Sequence, residues 1–224
     1  MRKQAAIVAA ALFFLISFFL TPTSLAQDGH YDVAINGAGV FTKQSDGNGI
    51  AQSATVGLNV FATVRVKLND KHSLAFNYGR AKDSQTYQEN FDFHVPSQIS
   101  EFSGAYVYSP FQKGRFAPFV LAGAGALVFN PLSTWIFLPE VNDLPNNVQT
   151  NVGARRQTEV AFLYGLGVDY QLPRFSRFAL RLQYRGLIYR APDFDVNTGT
   201  STVNFFTGAR GHMAEPSVGL VFRF

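Results

Sequence analysis

The chain has 224 residues, no cysteine and a formal net charge of +4, half of it carried by Arg2 and Lys3 at the N-terminus. The remaining basic residues are scattered, so charge gives no support for nucleic acid as a partner, and no disulfide can stabilise the fold. Charged residues make up 15% of the chain, against about a quarter in a soluble globular domain, while 23 Phe, 9 Tyr and 19 Gly point to short antiparallel strands.

Arg2 and Lys3 precede an apolar run from Ala5 to Leu20, followed by Thr21, Pro22, Ser24 and Ala26. A charged start, an apolar centre and small residues before a cut read as a secretory signal peptide over residues 1–26, with 27–224 as one domain. The run is shorter than the ~20 residues a spanning helix needs, and Pro22 closes it.

Eight alternating segments follow: 30–42, 53–68, 72–81, 98–109, 116–129, 156–171, 177–190 and the C-terminal stretch from Glu215 to Phe224. The second is the clearest. Val56, Leu58, Val60, Ala62, Val64 and Val66 share one face, and Asn59, Phe61, Thr63, Arg65 and Lys67 share the other. Successive side chains of a strand point to opposite sides, so a period of two is the strand signal. In the fifth segment "LAGAGAL" leaves the faces unassigned.

The connections sort by length. Residues 69–71, 110–115 and 172–176 are short; 43–52, 82–97, 130–155 and 191–211 are long. An even strand number, short turns at one end and long loops at the other predict an all-β, closed, eight-stranded antiparallel up-and-down transmembrane barrel. A soluble sandwich alternates too, but its loops need not sort by length. Both termini and the short turns are expected in the periplasm and the long loops outside the cell. Closure pairs the last strand with the first, which explains why an ordered alternating strand runs to Phe224 at the end of the sequence. Two aromatic belts are expected. One holds Tyr31, Tyr106, Tyr108, Phe116, Tyr170, Phe178 and Phe222; the other holds Phe41, Tyr78, Phe102, Phe129 and Phe162.

The stretches "FAPFVLAGAGAL" (116–127) and "YGLGVDYQLPRFSRFALRLQYRGLIY" (164–189) resemble the eight-stranded transmembrane domain of the OmpA-like and OmpX-like outer-membrane proteins. The terminal "VGLVFRF" resembles their C-terminal signature. The resemblance implies location in the bacterial outer membrane, contact with its lipid, and recognition of Phe222 and Phe224 by the barrel-assembly machinery. A monomer is expected. The peptidoglycan-binding module of the OmpA proteins is not expected after Phe224.

No catalytic constellation emerges. His30, His72, His94 and His212 are dispersed, none in a metal spacing, so no cofactor and no enzymatic activity are expected. The polar constellation is internal. Alternation places Arg65, Glu101, Glu159, Asp169, Arg181, Arg185 and Glu215 in the lumen, with Arg223 near a mouth. Eight strands enclose a space that side chains fill, and buried charges must pair. Arg185, Glu101 and Glu215 are expected to meet in the upper lumen, and Asp169, Arg181 and Arg65 below. In one expected hairpin register Gln171 faces Arg177, and Gly165 and Gly167 leave room for the Arg181 side chain. A plugged barrel acting structurally or through a surface partner at loops 130–155 and 191–211 is the leading expectation. Trp135, Ile136, Phe137 and Leu138 are expected to cover the mouth, with packing on the rim or contact with lipid as the alternative. The alternatives are a narrow pore for small or hydrophobic solutes, then a lipid-modifying enzyme.

Overall fold

The computed structural model describes residues 30–88, 92–132, 134–137, 149–197, 202–204 and 207–224, so the segment read as a signal peptide lies outside the described residues. Eight long strands form the wall: β1 (Tyr31–Lys43), β2 (Gly57–Lys67), β3 (His72–Gln88), β4 (Asp92–Tyr108), β5 (Phe116–Pro131), β6 (Gln157–Gln171), β7 (Phe178–Arg190) and β8 (Arg210–Arg223). Each pairs antiparallel with its neighbours in the chain, and β1 also pairs with β8, from Asp32 opposite Arg223 to Lys43 opposite His212. The sheet is therefore a closed barrel.

The final residue takes part in closure. Tyr31 N donates to Phe224 O (3.2 Å), Phe224 N donates to Tyr31 O (3.1 Å), and the two rings stack with centroids 6.1 Å apart. Phe224 also packs on Phe222, and Phe222 on Phe178 of the neighbouring strand. These contacts hold a terminus that would otherwise fray.

Local chemistry shapes the three turns. Asn69 Oδ1 accepts from the backbone N–H groups of Lys71 and His72, both at 3.0 Å, which reverses the chain between β2 and β3. Between β4 and β5, Gly114 has φ 61°, a conformation glycine adopts without steric cost, and Lys113 pairs with Phe116. Between β6 and β7, Leu172 N donates to Phe178 O (3.0 Å), leaving Pro173–Arg177 as the loop.

That last turn changes the expected register. Gln171 faces Ala179, Asp169 faces Arg181 and Gly165 faces Arg185. The expected hairpin placed Gln171 opposite Arg177; the observed loop has the same five residues' length but begins one residue later, and the pairing slides by two. A two-residue slide keeps every side chain on its face. Gly165 and Gly167 do not make room for Arg181. A Cβ on Gly167 would meet the Phe119 ring at 2.5 Å, and one on Gly165 would meet the backbone carbonyl of Tyr184 at 2.4 Å.

Two loop expectations also change. β3 and β4 run on as a paired hairpin to Gln88 and Asp92, so most of 82–97 is ladder. β8 begins at Arg210 rather than Glu215. Above the upper belt the strand pattern continues with polar outward residues, Arg80 and Lys82 among them, which hides the strand from a search for apolar alternation.

The β2–β3 ladder has one irregularity. Leu58 faces Lys82 and Ala54 faces Gln85, so three residues (55–57) lie opposite two (83–84). This is a β-bulge. Thr55 and Val56 both point outward there, Thr55 N donates to Ser84 O, and Ser84 N donates to Thr55 Oγ1. A Cβ on Gly57 would lie 2.5 Å from the Lys82 carbonyl oxygen, so the bulge needs glycine at that point.

The outer surface is apolar through its middle, with Ile35, Val60, Phe76, Leu166, Leu182 and Leu220 all exposed. Aromatic belts flank it: Tyr78 packs on Phe102 at 4.9 Å, and Phe116 on Tyr170 at 4.9 Å. Phe129, expected in the outer belt, is instead fully buried in the lumen against Tyr189 and Phe194. Residues 127–129 (Leu, Val, Phe) are apolar in succession and carry no period to tell inside from outside.

Because Phe224 completes the ladder and the aromatic row, Phe224→Ala should lower the amount of barrel inserted in cells severalfold. It should change the urea stability of refolded protein far less. Wild-type membrane levels of the variant would contradict an assembly role.

Candidate functional site: a plugged lumen

Inward positions on the eight strands bring the charged residues together in two clusters. In the lower cluster Arg181 of β7 lies directly opposite Asp169 of β6. Arg181 Nε donates to Asp169 Oδ1 (2.7 Å) and Nη2 donates to Oδ2 (2.9 Å), a two-bond fork. Planar guanidinium and carboxylate groups match in this geometry, and charge strengthens both bonds. Arg181 also reaches Asp32 Oδ1 of β1 at 3.4 Å. Arg65 of β2 crosses the lumen to Asp169 (3.4 Å) and lies 3.9 Å from Asp32. Arg223 of β8 closes the cluster from the turn end, 3.4 Å from Asp169.

The upper cluster is centred on Arg185. Its guanidinium donates to both oxygens of Glu101 on β4, at 3.1 and 2.7 Å, and to Oε2 of Glu215 on β8. Glu215 lies directly opposite Arg185 in the ladder, whereas Glu101 reaches it from across the barrel. Asn59 Nδ2 donates to the other oxygen of Glu215 (2.7 Å). Ser103 Oγ donates to Glu101 Oε1 (2.7 Å), Asn77 to Ser103 (3.0 Å) and Thr63 to Asn77 (2.8 Å). This chain ties β2, β3 and β4 to the upper cluster by side chains alone.

Arg181 and Arg185 are fully buried, and Arg65, Asp32, Asp169, Glu101 and Glu215 are at most 5% exposed. Four guanidinium groups and four carboxylates make up the two clusters, so the charges of the two clusters together balance. The excess is cationic below and anionic above. Two aromatic rings lie against the buried guanidinium groups. Arg65 stacks on Phe119 at 4.6 Å and Arg181 lies 5.4 Å from the same ring; Arg185 stacks on Phe61 at 3.8 Å. Each ring presents its negative face to a desolvated cation.

Above the two clusters lies a largely apolar layer. Val40, Val95, Leu127, Phe129, Leu163 and Leu187 pack with Met213, and Phe194 reaches in from the segment after β7. Asp83 sits at this level, bonded by Gln85 (2.5 Å), which also accepts from Gln52 (3.1 Å).

Of the lumen charges expected from sequence, Arg65, Glu101, Asp169, Arg181, Arg185 and Glu215 lie in the two clusters. Glu159 does not: it is half-buried on β6 opposite Leu127, away from both. Asp32 joins the lower cluster although it is not among the expected lumen charges; alternation along β1 puts it on the same face as Asn36. Nor is the apolar layer among the expectations. Trp135–Phe137 form a short strand paired with residues 149–151, and Leu138 lies outside the described residues.

The histidines form no cluster of metal ligands among the described residues. His72 lies at the turn end against the Tyr106 and Tyr108 rings, and His212 lies near the opposite end, 2.7 Å from the Tyr164 hydroxyl. No group of three metal-binding side chains occurs among the described residues.

Removing one partner of a buried ion pair leaves an uncompensated charge, at a typical cost of about 3–5 kcal/mol. Arg185→Ala should destabilise the lipid-refolded barrel by that order in urea titration. Arg174→Ala, in an exposed turn, should change it by less than about 0.5 kcal/mol. Equal effects would contradict the buried-pair assignment.

The model of the outer membrane protein β-barrel domain family matches residues 10–206. Among solved structures, OprG from Pseudomonas aeruginosa is similar, with a TM-score of 0.56 and 13% identity over 86% of this chain and 95% of its own. Neisserial surface protein A (NspA) is similar with a TM-score of 0.51 and 14% identity over 87% of this chain and 97% of its own. At these identities the likeness is one of fold. No curated protein matches the chain in sequence. The closed eight-stranded wall, the outward apolar band and the family match together make this chain a member of the outer membrane protein β-barrel domain family, located in the bacterial outer membrane.

Proposed function

We propose that this outer-membrane barrel is a closed scaffold without a conducting path, acting structurally or by presenting its loops to a surface partner. The observation that carries this reading is the state of Arg185. Its side chain is fully buried at the level where Glu101 and Glu215 meet from β4 and β8, with Phe61 stacked on it. An ion crossing there would have to break a two-carboxylate clamp in a low-dielectric space and then pass the apolar layer around Phe129 and Leu163. Small barrels whose interior is filled by side chains have no aqueous route. The segments 130–155 and 191–211 are the surfaces this reading assigns to a partner, and Phe222 and Phe224 the residues it assigns to the barrel-assembly machinery. The barrel would act as a monomer.

Single-channel recording of refolded protein in planar bilayers tests this directly. The expected result is no conductance steps above the bilayer baseline at neutral pH. Stable, reproducible steps in wild-type protein would favour a narrow pore and end the scaffold reading.

A further inference from the structure

The outer face of the barrel carries a groove that the scaffold reading does not use. It lies at the β-bulge between β2 and β3 and is lined by Val56, Gly57, Leu58, Arg80, Lys82 and Gln98. One side is apolar: Val56 is 70% and Leu58 79% exposed, among the most exposed large apolar side chains described. The same stripe continues down β2 through Val60 and Val64, which face lipid. The other side is basic. Arg80 and Lys82 project outward from β3, opposite Val60 and Leu58 in the ladder. Neither cation takes part in any of the ion pairs formed among the described residues. The nearest acid in sequence, Asp83, points the other way, into the lumen.

Height decides what such a groove meets. Tyr78 and Phe102 pack as part of the upper aromatic belt, which marks the membrane interface. At ~3.3 Å per residue, Arg80 and Lys82 lie about 7 and 13 Å along the strand beyond Tyr78. That is headgroup depth, and long basic side chains can reach back toward the interface along their stems. Two cations with no ion pair among the described residues, beside an apolar stripe that enters the hydrocarbon, have the complement of an anionic headgroup joined to acyl chains. Guanidinium and ammonium groups bind phosphate oxygens well.

From this juxtaposition we infer that the β2–β3 bulge is a binding site for a phosphorylated glycolipid of the outer leaflet. Arg80 and Lys82 take its phosphate, and the apolar stripe running inward from Leu58 through Val60 to Val64 takes the start of an acyl chain. A soluble polyanion would leave the apolar half of the groove in water. A zwitterionic lipid would leave the cations without a net countercharge.

The test uses the refolded full barrel in neutral detergent, with lipid retention read by native mass spectrometry and folding checked by heat-modifiable gel mobility. The probes are bisphosphorylated lipid A and the same lipid with both phosphates removed. One bisphosphorylated lipid should be retained per barrel, at least tenfold more tightly than its dephosphorylated form. Arg80→Gln with Lys82→Gln should abolish that preference, while Arg174→Gln with Arg177→Gln, at the opposite end, should leave it intact. Equal retention of the two lipids by wild-type protein would overturn the inference whether or not the variants fold. So would a preference that survives in the folded Arg80/Lys82 variant. Full displacement by a short sulfated oligosaccharide without acyl chains would also overturn it, because the site would then be one for soluble polyanions.

Discussion

Hydrocarbon offers no hydrogen-bond partners, so every backbone N–H and C=O in the membrane must be satisfied within the protein. The rest of the structure follows from that constraint. It forbids a sheet edge, so β1 must find β8, and the exchange of bonds between Tyr31 and Phe224 carries pairing to the last residue. Closure by eight strands then fixes a narrow interior. Wide barrels can leave inward polar residues in water; this one holds Arg181 and Arg185 fully buried and must pair them.

The interior is organised in layers. Asp169 gathers Arg181, Arg65 and Arg223, with Asp32 completing the group; Glu101 and Glu215 clamp Arg185; a polar side-chain chain from Thr63 to Ser103 links the wall to the upper clamp. Phe119 and Phe61 fill the space beside the guanidinium groups. Burying ions is costly unless their geometry is well satisfied, so such a network is weak grounds for high stability. What it supplies is a unique arrangement: slipping β7 by one residue would send Arg181 and Arg185 into lipid. Ion pairs inside and cations at the outer rim thus have different tasks. The first fix register and occupy the lumen, and the second are the groups that the proposed glycolipid site at the β2–β3 bulge uses.

Much of this was legible in the sequence, for a physical reason. Where one face meets lipid and the other meets polar side chains, the period of two is sharp, as in β2, and it placed Arg65, Asp169, Arg181, Arg185, Glu101 and Glu215 inside. The reading failed where that contrast vanishes. Residues 127–129 are apolar on both faces, so Phe129 was assigned to the outer belt although it is buried inside. Beyond Tyr78 the outward residues of β3 turn polar, so alternation no longer marks the strand that continues to Gln88. The β6–β7 register depended on which residues near Pro173 form the turn, which alternation does not encode; the slide preserved the faces but changed the partners. Glu159 follows the alternation yet finds no acid–base cluster, because it lies too near the mouth.

The central claim is that Arg185, Glu101 and Glu215 act as one buried unit filling the lumen. A mutant cycle of unfolding free energies in lipid vesicles tests it most directly. It would compare Arg185→Met, Glu101→Gln and Glu215→Gln singly and together. The account predicts that Arg185→Met alone is strongly destabilising and that the triple variant recovers most of the loss, because no charge is left without a partner. Additive losses, with the triple variant the least stable of all, would contradict it.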